Sequence, residues 1–184
     1  MARAIHVKKA RKDNPAAGIK KGDEYWHVSF RSGRSSYTRY FTSPPRPSQL
    51  TQSEFLSNIY AAQEVIQDEL QELKQGKLTF QELADIIDEQ KEAVEEQGQE
   101  CDDKFGNMPD SLQEGPTGAL LQSRVDECNN TAQELDEAAD TIRDLVENDE
   151  IPEEATDATA RLATVKDKIE EAERVLEDIG WNME

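Results

Sequence analysis

Between Leu121 and Val146 an apolar or small residue recurs at every third or fourth position: Leu121, Val125, Cys128, Ala132, Leu135, Ala139, Ile142 and Val146. The steps run 4, 3, 4, 3, 4, 3, 4, a seven-residue repeat that constrains the fold more than any other feature. Such a repeat draws one narrow apolar seam along a helix, and only another helix, wound with a left-handed supercoil, covers it well. At 1.5 Å per residue this helix is about 45 Å long. A second set, Ala155, Ala158, Leu162, Val165, Ile169, Ala172, Leu176 and Ile179, steps 3, 4, 3, 4, 3, 4, 3. Pro152 suits the first turn of that helix and Gly180 its end. Alanines at seam positions imply close approach, and the thin seams leave room for homo-oligomerisation to complete them. Cys101 and Cys128 fall on seams and read as small buried apolar residues.

Two further helices precede these. Thr51-Gln52-Ser53-Glu54 reads as a capping box, in which the hydroxyl takes one free helix N–H and the carboxylate another. Phe55, Ile59, Ala62, Ile66, Leu70 and Leu73 follow at helical spacing, and Gly76 supplies a left-handed C-cap. A second box, Thr79-Phe80-Gln81-Glu82, opens a stripe of Phe80, Leu83, Ile87, Val94 and Cys101. The short connection predicts an antiparallel helical hairpin. Residues 105–118 hold three Gly and two Pro and read as a loop anchored by Met108 and Leu112. The expected fold is mainly α: elongated antiparallel helical hairpins, as one four-helix bundle or as two splayed arms, with a small N-terminal β-hairpin head. The helices are expected over residues 52–75, 80–104, 117–148 and 152–180.

Charge divides the chain in two. Residues 1–46 hold eleven Lys and Arg against three acids, a net of +8. Residues 47–184 hold ten basic and 37 acidic residues, a net of −27. The sign changes at Ser43-Pro44-Pro45-Arg46-Pro47-Ser48, where proline stiffens the chain and removes backbone donors. The predicted domains are therefore a basic head, 1–46, and an acidic helical body, 47–184. No apolar run approaches the roughly 20 residues that cross a bilayer. The first residues lack the apolar core of a secretory signal, so a cytoplasmic protein without membrane partners is expected. Two Cys exclude a disulfide scaffold.

In the head, Trp26, Val28 and Phe30 alternate with Tyr25, His27, Ser29 and Arg31, the period of a strand covered on one face. Ser32-Gly33-Arg34 supplies a turn, and Tyr37, Tyr40 and Phe41 lie on the return strand. Ala4-Ile5-His6-Val7 is a further short β-like piece. Arg31, Arg34 and Arg39 are candidates for phosphate contact, with Trp26, Tyr37 or Tyr40 stacking on bases. The alternative is a small sheet whose aromatics are core and whose charges are solvated.

Catalytic patterns are sparse. Glu69-x-x-Glu72 and Glu137-x-x-Asp140 match the carboxylate spacing of Mg²⁺-dependent all-α nucleotide pyrophosphatases. The seam residues Leu70 and Ala139 turn those acids toward the flanks, so a non-enzymatic role without metal or cofactor is expected. The acid instead suggests recognition. Candidates are Glu95, Glu96, Glu100, Asp102 and Asp103, then Glu134, Asp136, Glu137 and Asp140, then Glu147, Asp149 and Glu150. Carboxylates on successive helical turns lie about 5–6 Å apart, a scale comparable to backbone phosphates. A rigid acidic helix thus resembles nucleic acid to a cationic partner, drawn by the same steering and counterion release. The leading expectation is a DNA-mimic-like protein that binds and inhibits a basic nuclease or defence factor. The runner-up is nucleic-acid binding through the head.

Four segments carry a resemblance: Lys-Lys-Ala-Arg-Lys-Asp-Asn-Pro (8–15), Lys-Lys-Gly-Asp-Glu-Tyr-Trp (20–26), Pro-Pro-Arg-Pro-Ser-Gln-Leu-Thr-Gln-Ser (44–53) and Asn-Met-Pro-Asp-Ser-Leu-Gln-Glu-Gly-Pro-Thr-Gly (107–118). With them the chain resembles small acidic accessory proteins of tailed phages, some of which carry an N-terminal zinc-ribbon-like head. The ribbon cysteines are absent here, so no thiolate metal site carries over. The resemblance implies action in the bacterial host cytoplasm, redirecting or blocking host machinery.

Overall fold

A computed structural model describes residues 2–147 and 158–181, apart from the side chains of residues 32, 146, 147 and 158–164. Three strands, β1 (Ala4–Val7), β2 (Tyr25–Ser32) and β3 (Ser35–Phe41), form an antiparallel sheet in the order β1-β2-β3. Five helices follow: α1 (Glu54–Lys74), α2 (Phe80–Gly106), α3 (Asp110–Gln113), α4 (Pro116–Glu147) and α5 (Ala158–Glu177). The chain is thus mainly helical with a small N-terminal sheet, as its periodicities predict. The expected start of the last helix, at 152–157, lies outside the described residues. Among the described residues no helix is long and apolar enough to cross a membrane.

The chain divides into compact units Met1–Ala61 and Ala62–Glu184. The division falls inside α1 and not at the proline joint expected to bound the head. The joint is itself ordered: Pro47–Leu50 makes a 3₁₀ turn, and the Ala2 N–H donates to the Leu50 carbonyl at 2.8 Å. The segment through Ala61 therefore groups with the sheet.

The sheet has one strand more than the predicted hairpin. Ala4 lies opposite Val28 and His6 opposite Trp26, so β1 lengthens the β2–β3 ladder by a third rung. Gly33, with φ +60°, is the first residue of a two-residue hairpin loop, where Arg34 keeps negative φ. That is the type II′ arrangement, whose twist suits the flanking strands. Opposed residues share a face. One face carries Ala4, His6, Trp26, Val28, Phe30, Tyr37 and Arg39, and its centre, Val28 and Phe30, is buried. The other carries Ile5, Val7, Tyr25, His27 and Tyr40.

The stripe of α1 is buried as its spacing predicts, from Phe55 to Leu73. Its N-cap is not Thr51, however. Ser53 accepts from the Leu56 N–H, while the Thr51 hydroxyl accepts from the Ser53 N–H. Thr51 is extended and lies too far back to reach the first turn. The second box forms as expected: Thr79 Oγ1 accepts from the Glu82 N–H at 3.2 Å, and the Glu82 carboxylate accepts from the Thr79 N–H at 2.9 Å. That backbone bond, with a second that the Thr79 hydroxyl donates to the same carboxylate at 2.8 Å, holds the Glu82 pKa below the usual carboxylate range. Gly76 has φ +71°, the predicted left-handed cap.

The closest helix pairing is α2 against α4, not a pair joined by either expected short turn. The two run antiparallel, with Gly98 against Cys128, Lys91 against Asp136 and Asp88 against Arg143. Small residues explain the preference. Ala84, Gly98 and Cys101 on α2 and Cys128, Ala132, Ala138 and Ala139 on α4 are all buried. A Cβ on Gly98 would sit 3.0 Å from the Cys128 Cβ, so the backbones already touch. The α1 seam, built of Phe, Ile and Leu, holds its neighbours further away. Along α5, Ala172, Leu176 and Ile179 are buried, but Val165, expected on the seam, is 47 % exposed.

The 105–118 connection contains the one-turn α3. Leu112, expected as an anchor, is exposed; Gln113 anchors instead. Its amide donates to the Phe105 and Met108 carbonyls at 3.0 and 3.1 Å, tying α3 back to the end of α2. Gly118 is buried close behind, where a Cβ would fall 2.0 Å from the Gln113 carbonyl oxygen.

Burial pushes the Cys128 thiol up to about 12, with the neighbouring Cys101 adding to the rise. At pH 8 only about one thiol in ten thousand is ionised there, against about a tenth in the unfolded chain. Thiol reagents are therefore expected to label Cys128 at the rate of global unfolding; rapid labelling of the native protein would oppose the packing. In alkali the folded state keeps a proton that the unfolded state has lost, so this site's contribution falls as pH rises above 9. Urea midpoints of the parent should drop more steeply from pH 9 to 11 than those of Cys128→Ala.

Candidate nucleic-acid interface and the acidic flank

In the head, the sheet fixes which side chains meet. Tyr25, His27 and Tyr40 share the face opposite the buried one. Their ring centroids lie 6.0 Å apart for Tyr25–Tyr40, 6.1 Å for Tyr25–His27 and 6.2 Å for His27–Tyr40. Tyr40 is 41 % exposed. His27 Nδ1 is shielded from solvent with no hydrogen-bond partner among the described residues.

Beyond β1 the chain loops over this face and is pinned. The Ala10 N–H donates to the Asp23 carbonyl at 2.8 Å, and the Gly22 N–H donates to the Ala10 carbonyl at 2.9 Å. Asn14 bridges Ile19, and Ala10 and Ile19 are buried. A cleft of about 670 Å³ is lined by Tyr25 and Tyr40 from the sheet and by Lys9, Arg11 and Lys12 from the loop.

The head's acids are occupied. Asp13 accepts from the Lys21 N–H at 2.6 Å, Asp23 accepts from the Lys20 N–H at 2.8 Å, and Glu24 meets His6 at 2.6 Å. Among the described residues Lys8, Lys9, Arg11, Lys12, Lys20, Lys21, Arg31 and Arg34 form no ion pair with a carboxylate, and all are exposed. These eight charges are therefore not neutralised by ion pairs among the described residues.

The residues nominated from the sequence do not converge on one place. Trp26 is stacked on His6, centroids 4.5 Å apart and planes 8° from parallel. Arg39 lies over Phe30 and Tyr37, at 5.3 and 5.8 Å from their centroids. Tyr37 is 43 % exposed, on the same face as buried Val28. Arg31 is exposed on the opposite face, and Arg34 is exposed at the hairpin tip. The cleft residues Lys9, Arg11, Lys12 and Tyr25 were not nominated. The signal was the Ala4–Val7 alternation, which, read as a third strand, carries the chain past Tyr25.

In the helical unit, by contrast, several cations are tied to acids. Lys91 pairs with Asp136; that hydrogen bond outweighs desolvation and holds the ammonium above the usual lysine range. Burial works against the Arg143 charge, but Asp88 and Asp140 outweigh it and hold the guanidinium above its usual range. Lys74 meets Glu173 at 2.5 Å and Lys104 meets Glu100 at 2.8 Å.

Several acids nominated for partner binding thus have internal work. Asp136, Asp140 and Glu100 are paired as above. Glu134 accepts the Gly180 N–H at 2.7 Å, while the Thr131 hydroxyl donates to the Gly180 carbonyl at 3.2 Å, together docking the end of α5. Glu137 accepts from Gln133, and Asp103 from Gln99. Glu95, Glu96 and Asp102 are exposed on α2 with no ion pair among the described residues. Glu147 ends α4, its side chain undescribed, and Asp149 and Glu150 lie outside the described residues. Among the described residues no three His, Cys, Asp or Glu side chains are grouped to hold a metal ion.

Comparison with protein-family models, with curated proteins and with solved structures finds no match to this chain.

Among the described residues Arg143 lies against three acids, Asp85, Asp88 and Asp140. Arg143→Ala leaves like charges facing across α2 and α4 and should cost about 1 kcal/mol at low salt. Added salt should recover part of that loss in urea unfolding; a salt-independent loss would point to packing instead.

Proposed function

We propose that this protein is a non-enzymatic accessory protein that binds nucleic acid through its basic, aromatic head. One observation carries the reading: Lys9, Arg11 and Lys12 are exposed, form no ion pair among the described residues, and lie beside the aromatic face of Tyr25, His27 and Tyr40, whereas Lys74, Lys91, Lys104 and Arg143 are paired with acids. A phosphate backbone supplies the missing counter-charge. The strongly acidic helical unit repels nucleic acid, which restricts the encounter to the head. The resemblance of four segments to tailed-phage accessory proteins supports placing this activity in a bacterial host cytoplasm.

The test is fluorescence anisotropy with labelled oligonucleotides across a salt series. Binding should weaken with salt. Replacing Lys9, Arg11 and Lys12 together by Ala should flatten the log K against log salt slope by about 2 to 3. Arg31→Ala with Arg39→Ala should weaken binding at every salt concentration. Absence of binding to DNA and RNA at low salt would end the reading.

A second reading, inhibition of a basic nuclease or defence factor by DNA mimicry, has its own support. Glu95, Glu96 and Asp102 lie unpaired along α2 while the α2–α4 cations are consumed. In this reading the helices form one elongated bundle that displays the row. A groove of about 680 Å³ between α1 and α5, floored by Leu70 and Leu176 and rimmed by Asp68 and Glu177, adds an acidic-edged recess for a basic segment. Here the protein should displace DNA from its target, and Glu95→Gln with Glu96→Gln and Asp102→Asn should reduce that displacement. Displacement unchanged by these substitutions would argue against mimicry.

A further inference from the structure

We infer that the cleft between the β1–β2 loop and the sheet face takes an unpaired base with its phosphate, so that the ligand of the head is single-stranded nucleic acid. The inference rests on the nucleic-acid reading and narrows it. Positive charge alone does not distinguish a duplex from a single strand, because both present phosphates. Shape does distinguish them. A duplex is read by an element that projects into a groove. Here Tyr25 and Tyr40 from the sheet and Lys9, Arg11 and Lys12 from the loop line one concavity of about 670 Å³. That volume is in the range of small-ligand sites, roughly 300–1,000 Å³, and admits a nucleotide but not the side of a double helix.

The two groups of lining residues match the two halves of a nucleotide. Tyr40, 41 % exposed, and the half-buried Tyr25 offer ring surface to a base. The centroids lie 6.0 Å apart and the planes 49° apart, so the rings make an open angle and not a closed stack. Lys9, Arg11 and Lys12 are exposed and form no ion pair among the described residues, which leaves them for phosphate. Asp13 also lines the cleft, but its carboxylate already accepts the Lys21 N–H at 2.6 Å. The bonds that pin Ala10 hold the cationic loop in place before a ligand arrives. A base in a duplex reaches such a site only after unpairing and unstacking, whereas a base in a single strand is already available.

The experiment uses the full chain with oligothymidylate, oligouridylate and a DNA duplex, each of about 15 units. One or both single strands should bind at least about tenfold tighter than the duplex at the same salt. Tyr40→Ser should lose about tenfold or more for the preferred single strand while duplex binding changes little. Tyr40→Phe, which keeps the ring and the strand, should restore parent affinity. Duplex binding equal to or tighter than both single strands overturns the inference and leaves the nucleic-acid reading standing. So does a Tyr40→Phe loss as large as that of Tyr40→Ser, because stacking needs no hydroxyl. No binding of any of the three overturns both.

Discussion

The helical unit depends on how closely two backbones approach. Along α2 and α4 the facing positions are small, and Gly98 lies against Cys128 with no room for a Cβ at ordinary spacing. At that distance each buried methyl or thiol meets atoms on every side, and dispersion accumulates without large side chains. The antiparallel alignment in turn places Lys91 beside Asp136 and Arg143 beside Asp88. Packing thus sets which charges neutralise one another and which are left to solvent. The docking of the α5 end through Thr131 and Glu134 depends on the same α4 surface.

The head solves a different problem. Its sheet is too small to bury both faces. One face centres on buried Val28 and Phe30, and the other leaves its tyrosines beside a basic loop. The loop is rigid because Ala10 and Ile19 are buried and backbone bonds close it, not because its charged side chains find partners. Among the described residues Lys74, Lys91, Lys104 and Arg143 of the helical unit are paired internally, whereas Lys9, Arg11 and Lys12 of the head form no ion pair. That segregation is the physical basis for assigning the nucleic-acid contact to the head and a protein contact to the acidic flank.

Periodicity made the helices legible. The α1 seam is buried, the α4 seam is buried over its described side chains apart from half-buried Val125, Thr79 and Glu82 cap α2, and Gly76 adopts its left-handed conformation. The candidate site was only partly legible. Arg31, Arg34 and Arg39 drew notice because they lie in a clear hairpin, but that hairpin scatters them over two faces and a tip. Lys9, Arg11 and Lys12 stand in an irregular segment, whose position depends on a four-residue strand and two distant backbone bonds. Gln113 was missed for a similar reason: local pattern favoured Leu112 as the anchor, whereas the partners of Gln113 are backbone carbonyls five and eight residues earlier.

By itself the sequence determined the long helices, the central hairpin, where charge changes sign, and most residues of each seam, though not the exposed Val165 or the short α3. Those properties follow from spacing along the chain, since 3.6 and 2.0 residues per repeat are local geometry. Tertiary structure decided which seams pair most closely, that a third strand completes the head, and which charges remain unpaired. Each of these depends on the distance between segments far apart in sequence, set by side-chain volume and by backbone groups that require partners.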